Sequence, residues 1–77
     1  MNIRVIIFGT LLKPEGKSDF AKTMEDGATV RDLLVALGYQ PHHIKAILTT
    51  VNGHHASHNK KLKEDDEVVL SVMVGGG

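Results

Sequence analysis

The residues of this 77-residue chain best suited to chemistry are three glycines, Gly75-Gly76-Gly77, which follow directly on the run Val68-Val69-Leu70-Ser71-Val72-Met73-Val74. Glycine in a packed strand costs roughly 0.5–1 kcal/mol against alanine, so three in succession add nothing to a core. A segment without side chains is thin enough to thread a carboxylate into a narrow active site. With no Cβ nearby, the carbonyl carbon of Gly77 is open to attack from either side. An α-carboxyl titrates near pH ~3.5, so it is ionised at neutral pH and is a poor acyl electrophile until something activates it. A glycine end is also what a frayed terminus or a cloning remnant looks like, and the residues ahead of it must decide between these readings.

Other chemistry is thinly supplied. His42-His43, His54-His55 and His58 are metal-ligating types, yet His54 follows a hairpin turn, so His54 and His58 need not share a helical face. No cysteine assists them and the carboxylates lie well apart in sequence, so they read as solvated loop histidines, with no metal site and no bound cofactor. The lack of cysteine excludes a disulfide scaffold, a thiolate metal site and internal persulfide chemistry; any thiol must come from another protein. Nine basic residues balance nine acidic ones, and Phe8, Phe20 and Tyr39 are the only aromatics. Without a basic excess or stacking side chains, nucleic acid is not an expected partner. No apolar run reaches membrane-spanning length and Met1 opens no signal peptide, so a cytoplasmic protein is expected.

The elements that would position the glycine end follow from hydrophobic periodicity. Residues 2–10 alternate as a strand, with Ile3, Val5 and Ile7 on one face and Arg4, Ile6 and Phe8 on the other. Pro14-Glu15-Gly16-Lys17 is a turn, and residues 18–24 return as a second strand with Phe20 toward the core. Thr29 is suited to cap a helix and Asp32 to complete a capping box, ahead of the stripe Val30, Leu33, Leu34, Leu37 and a terminating Gly38. A linker containing Pro41 leads to a strand at Ile47-Leu48-Thr49-Thr50-Val51, and Asn52-Gly53 supplies the positive φ angles of a tight hairpin. Lys60, Lys61 and Lys63, then Glu64-Asp65-Asp66-Glu67, read as a solvated loop of mixed charge before the last strand, where Val68, Leu70 and Val72 share one face and Val69, Ser71 and Met73 the other. One helix covers one sheet face, and the first and last strands, being the most apolar, belong at the sheet's centre.

This order resembles the ubiquitin-like β-grasp, and specifically the MoaD/ThiS group of sulfur-carrier proteins. Val5-Ile6-Ile7-Phe8-Gly9-Thr10-Leu11 looks like the family's opening strand, Thr29-Val30-Arg31-Asp32-Leu33-Leu34 like the start of its helix, and Val51-Asn52-Gly53 with residues 62–68 and a terminal Gly-Gly like its C-terminal half. The family often has Asp-Gly-Asp where this chain has Asp65-Asp66-Glu67, so an Asp is expected at a positive φ. The implied fold is α+β, a mixed sheet of four to five strands with one helix packed on one face. Residues 1–74 would form the domain and 75–77 a flexible tail.

The resemblance also implies the chemistry. An ATP-dependent activating enzyme of the MoeB/ThiF kind would adenylate the carboxylate of Gly77, and a persulfide from a sulfurtransferase or cysteine desulfurase would displace AMP on the way to a thiocarboxylate. The acceptor would be the molybdopterin synthase large subunit or thiazole synthase. Such a chain is a carrier and cosubstrate, not an enzyme, with Gly75 and Gly76 as tether. By strand alternation Ile6, Phe8, Val69 and Met73 lie on the sheet face away from the helix, an apolar surface suited to docking a partner. Two other readings stay open: a ubiquitin-like modifier joined through Gly77 to lysines, and a passive interaction module with an incidental glycine tail.

Overall fold

A computed structural model of the chain describes residues 1–72. Strands β1 (Asn2–Ile7), β2 (Asp19–Thr23), β3 (Ile47–Val51), β4 (His54–His55) and β5 (Glu67–Val72) form one mixed sheet in the order β2-β1-β5-β3-β4. Only β1 and β5 run parallel, with Val5 opposite Val68 and Ile7 opposite Leu70; the other pairs are antiparallel. A parallel pair cannot be closed by a hairpin, so the rest of the chain lies in the crossover between them, including helices α1 (Val30–Ala36) and α2 (Pro41–Ile44). The two most apolar strands are central, as their composition requires. Ile3, Val5, Val68 and Leu70 are fully buried, and they join Val30, Leu33 and Leu34 of α1 in a single core.

Local chemistry sets the ends of α1. The Asp32 backbone N–H donates to Thr29 Oγ1 at 3.2 Å, and the Thr29 N–H donates to Asp32 Oδ2 at 2.9 Å, a complete capping box. At the other end Gly38 takes φ +94°, its N–H donating to the Val35 carbonyl while that of Tyr39 reaches the Leu34 carbonyl. This pair of bonds is the Schellman arrangement, and it delivers Tyr39 into the core. The Asn52-Gly53 turn has φ of +53° and +84°, matching the twist of the β3–β4 hairpin.

Three expectations need correction. The Pro41 segment is not a linker but the single turn α2: Pro41 lacks the N–H that a first helical position leaves unpaired, and Ile44 at the far end is buried and supplies the packing. A second, single-turn helix thus accompanies α1, and its Ile44 joins the same core. β1 also stops at Ile7, because Gly9 enters the left-handed region at φ +72°, although the Phe8 N–H still donates to the Leu70 carbonyl. Nor is the charged stretch before β5 wholly solvated. Leu62 is buried, and so is Asp66, whose carboxylate accepts from Asn52 Nδ2 and from the Lys63 N–H, both at 2.8 Å. Asn52 Oδ1 in turn accepts from the Glu67 N–H, so one side chain fastens the β3–β4 turn to the start of β5.

An aspartate does take the left-handed conformation, but it is Asp65, at φ +66°, one residue ahead of Asp66, where the Asp-Gly-Asp comparison puts the glycine. A left-handed conformation costs an L-residue roughly 1–2 kcal/mol, while glycine gives back about 0.5–1 kcal/mol through its freer unfolded chain. Asp65→Gly is therefore expected to stabilise the domain by about 0.5–1 kcal/mol and to raise the melting midpoint by a few degrees, roughly 2–8 °C. An unchanged or lowered midpoint would show that the aspartate pays no conformational penalty there.

Candidate functional site

Strand pairing assembles the outer face of the sheet. Ile6 sits opposite Val69, and Val69 opposite Thr50; one step toward the ends of β1 and β5, Ser71 lies opposite Leu48, with Phe8 held at the same level by its bond to Leu70. Ile6 and Val69 are half-buried, while Phe8 is 58% and Leu48 40% exposed. The structure thus brings Ile6, Phe8 and Val69 onto one surface and adds Leu48. Alternation along β3, with Ile47, Thr49 and Val51 buried, was the available signal for Leu48, but its neighbours depend on the register with β5. Met73, Gly75, Gly76 and Gly77 lie outside the described residues.

The face is polarised along its strands. At its start Arg4 clamps Asp19 in a bidentate pair, Nε to Oδ1 at 3.1 Å and Nη2 to Oδ2 at 2.8 Å, and Nη1 lies 3.5 Å from Glu67 Oε2. Toward the end that leads to residues 73–77 the face becomes apolar through Phe8 and Leu48. The hydrogen bond from Arg4 holds the Asp19 carboxyl below the usual carboxylate range and raises the guanidinium in turn. Because the folded value is depressed, the pair stabilises the fold above the unfolded carboxyl value, near pH ~3.9, and is lost as pH falls through the lower folded value. Both groups are exposed, so the contribution is screened by salt. Asp19→Asn is expected to be slightly less stable than the parent at neutral pH, with the difference vanishing in acid and in high salt. A difference that persists through both treatments would mean Asp19 acts by packing rather than by charge.

The loop above the apolar end is tied down. The buried Tyr39 donates its hydroxyl hydrogen to the Leu12 carbonyl, and Lys13 Nζ donates to the Gly9 carbonyl at 2.7 Å. Burial pushes the Tyr39 phenol up from its ordinary value, which keeps it a donor. β5, bonded on both sides, carries the chain out of the core to Val72, which lies opposite Ile47.

The histidines are distributed elsewhere. His42 and His43 lie in α2 with ring centroids 4.2 Å apart, His54 and His55 form β4, and His58 donates from Nε2 to the Ile47 carbonyl at 2.9 Å. Among the described residues no group of three or more His, Cys, Asp or Glu is placed to hold a metal ion. Among the same residues no helix is long and apolar enough to cross a membrane.

A mixed five-stranded sheet whose parallel centre is crossed by a helix, with an apolar outer face beside the outgoing last strand, defines a ubiquitin-like β-grasp protein. Residues 5–77 match the ThiS family, and the chain belongs to that family. Solved structures share the fold. SAMP1 from Haloferax volcanii is 22% identical over all of both chains with a TM-score of 0.79. A Pyrococcus furiosus protein assigned as subunit 1 of molybdopterin converting factor is 22% identical over 95% of this chain and 98% of that one, with a TM-score of 0.76. A third likeness is to the complex of subunits 1 and 2 of the molybdopterin-converting factor from Helicobacter pylori, at 22% identity over all of both chains and a TM-score of 0.66. No curated protein matches the chain.

Proposed function

We propose that this chain is a sulfur carrier that works as a cosubstrate of partner enzymes, with the α-carboxylate of Gly77 as its reactive group. The observation that carries the proposal is the extent of the family match: it runs from β1 through Gly77 and so takes in the three glycines as well as the folded body. A chain without cysteine supplies no sulfur nucleophile of its own, which leaves the carboxylate as the group to be loaded.

The proposed sequence begins with a MoeB/ThiF-like enzyme. The Gly77 carboxylate attacks the α-phosphorus of ATP, releasing pyrophosphate and forming an acyl adenylate. The terminal sulfur of a persulfide on a sulfurtransferase or cysteine desulfurase then attacks the carbonyl carbon and AMP leaves with the C–O bond electrons. The product is an acyl disulfide. A second thiol cleaves its S–S bond, being oxidised to a disulfide, and frees the thiocarboxylate. ATP is thus used by the partner, and the carrier binds no cofactor. The glycines let the loaded end enter an acceptor in molybdopterin or thiazole synthesis, and the complex of two subunits in the Helicobacter pylori structure supports such an acceptor as a partner. Ile6, Phe8 and Val69, together with Leu48 and with Met73 further along, would form the docking surface. The setting proposed is the cytoplasm, with residues 1–74 as the domain and 75–77 as the tail.

Intact mass after incubation with ATP, activating enzyme and sulfur donor tests the proposal, since one oxygen should be replaced by sulfur. A second reading, conjugation of Gly77 to lysine amines, draws support from the likeness to SAMP1, described as a small archaeal modifier protein. It starts from the same adenylate and differs only in the acceptor. Isopeptide-linked adducts in cell extracts would favour it.

A further inference from the structure

The charges of this neutral chain are segregated. Between Asp32 and Glu64 there is not one carboxylate side chain, and that stretch holds all five histidines together with Lys45, Lys60, Lys61 and Lys63. Every ion pair among the described residues is made elsewhere, by the Met1 amine with Asp26 and by Arg4 with Asp19 and Glu67, so these four lysines have no acidic partner there. The fold concentrates part of this charge at the sheet's last strand. His54 and His55 of β4, both exposed, border an open cavity of about 310 Å³ whose other walls include Lys60, Lys63, Asn52 and Asp66. Asp66 is the one carboxylate facing it, and both its oxygens already accept hydrogen bonds, from Asn52 Nδ2 and the Lys63 N–H. No further charged side chain lines this cavity, and its wall from β3 is the apolar Val51.

We propose that this β4 edge is a docking surface for an acidic segment of a partner protein, bordering the apolar outer face, whose row Ile6–Val69–Thr50 ends at His55. Complementary charge is what the edge offers. A phosphate backbone fits less well, because the stretch contains no arginine, the side chain whose planar fork suits phosphate, and no aromatic is exposed on it for stacking.

The test uses the full chain, isotopically labelled, titrated with poly-L-glutamate and separately with an oligothymidylate of matched charge, in about 50 mM salt. Poly-L-glutamate is expected to move the amide resonances of residues 52–63. Lys60→Glu/Lys63→Glu, at two exposed positions, is expected to lose roughly tenfold or more in affinity with an unchanged melting midpoint. Shifts centred on Phe8 and Val69, undiminished binding by the double variant, or equal or tighter binding of the oligonucleotide would each overturn the proposal. The readout involves no sulfur chemistry, so its failure and that of the carrier reading are distinguishable.

Discussion

Leu70→Ala is expected to remove about 3–4 kcal/mol of folding free energy, the middle of the range for a buried leucine whose site cannot collapse. Leu70 is fully buried on the central strand, opposite Ile7 on one side and Thr49 on the other, so neighbours on both sides fix the walls of the resulting cavity. A domain of this size has about 4–11 kcal/mol in total, so the loss is about a quarter of its stability at least. The melting midpoint should fall by roughly 12–30 °C. Val69→Ala, one residue earlier on the half-exposed outer face, should cost about 1 kcal/mol. Denaturant titration of both variants checks the contrast. A loss below about 1 kcal/mol for Leu70→Ala would mean that β5 is not the centre of the core.

Phe8→Asp is expected to do the opposite, sparing the fold and damaging the function. The ring is 58% exposed just past the end of β1, so little packing is lost and the melting midpoint should hold within a few degrees. On the docked face the same change buries a carboxylate among Ile6, Leu48 and Val69. Losing a central aromatic anchor typically costs 2 kcal/mol or more, so kcat/KM for adenylation should fall by roughly thirtyfold or more. Unchanged adenylation rates would remove the outer face from the proposed docking surface.

What the sequence made legible was whatever rests on local chemistry. The Thr29–Asp32 box, the Gly38 terminus and the Asn52-Gly53 turn each follow from the preferences of one or two residues, whereas the left-handed aspartate was legible as a type and not as Asp65. The centrality of β1 and β5 followed from their composition, since strands packed on both sides must be the most apolar. What stayed hidden depends on tertiary partners. α2 is a single turn with a proline in front, too short for a periodic signal, and it is held by the burial of Ile44. Asp66 looked like one more acid in a charged run; its burial rests on Asn52, fourteen residues earlier. Leu48 joins the outer face only through the β3–β5 register.

The central claim, that Gly77 carries sulfur, is tested most directly by intact-mass spectrometry of the full chain and of a variant lacking Gly77, each incubated with ATP, an activating enzyme and a persulfide donor. A mass gain equal to the difference between sulfur and oxygen in the full chain, absent from the shortened one, is the predicted result. An unchanged mass with an enzyme shown to be active on its own carrier, or the same gain without Gly77, would contradict the claim.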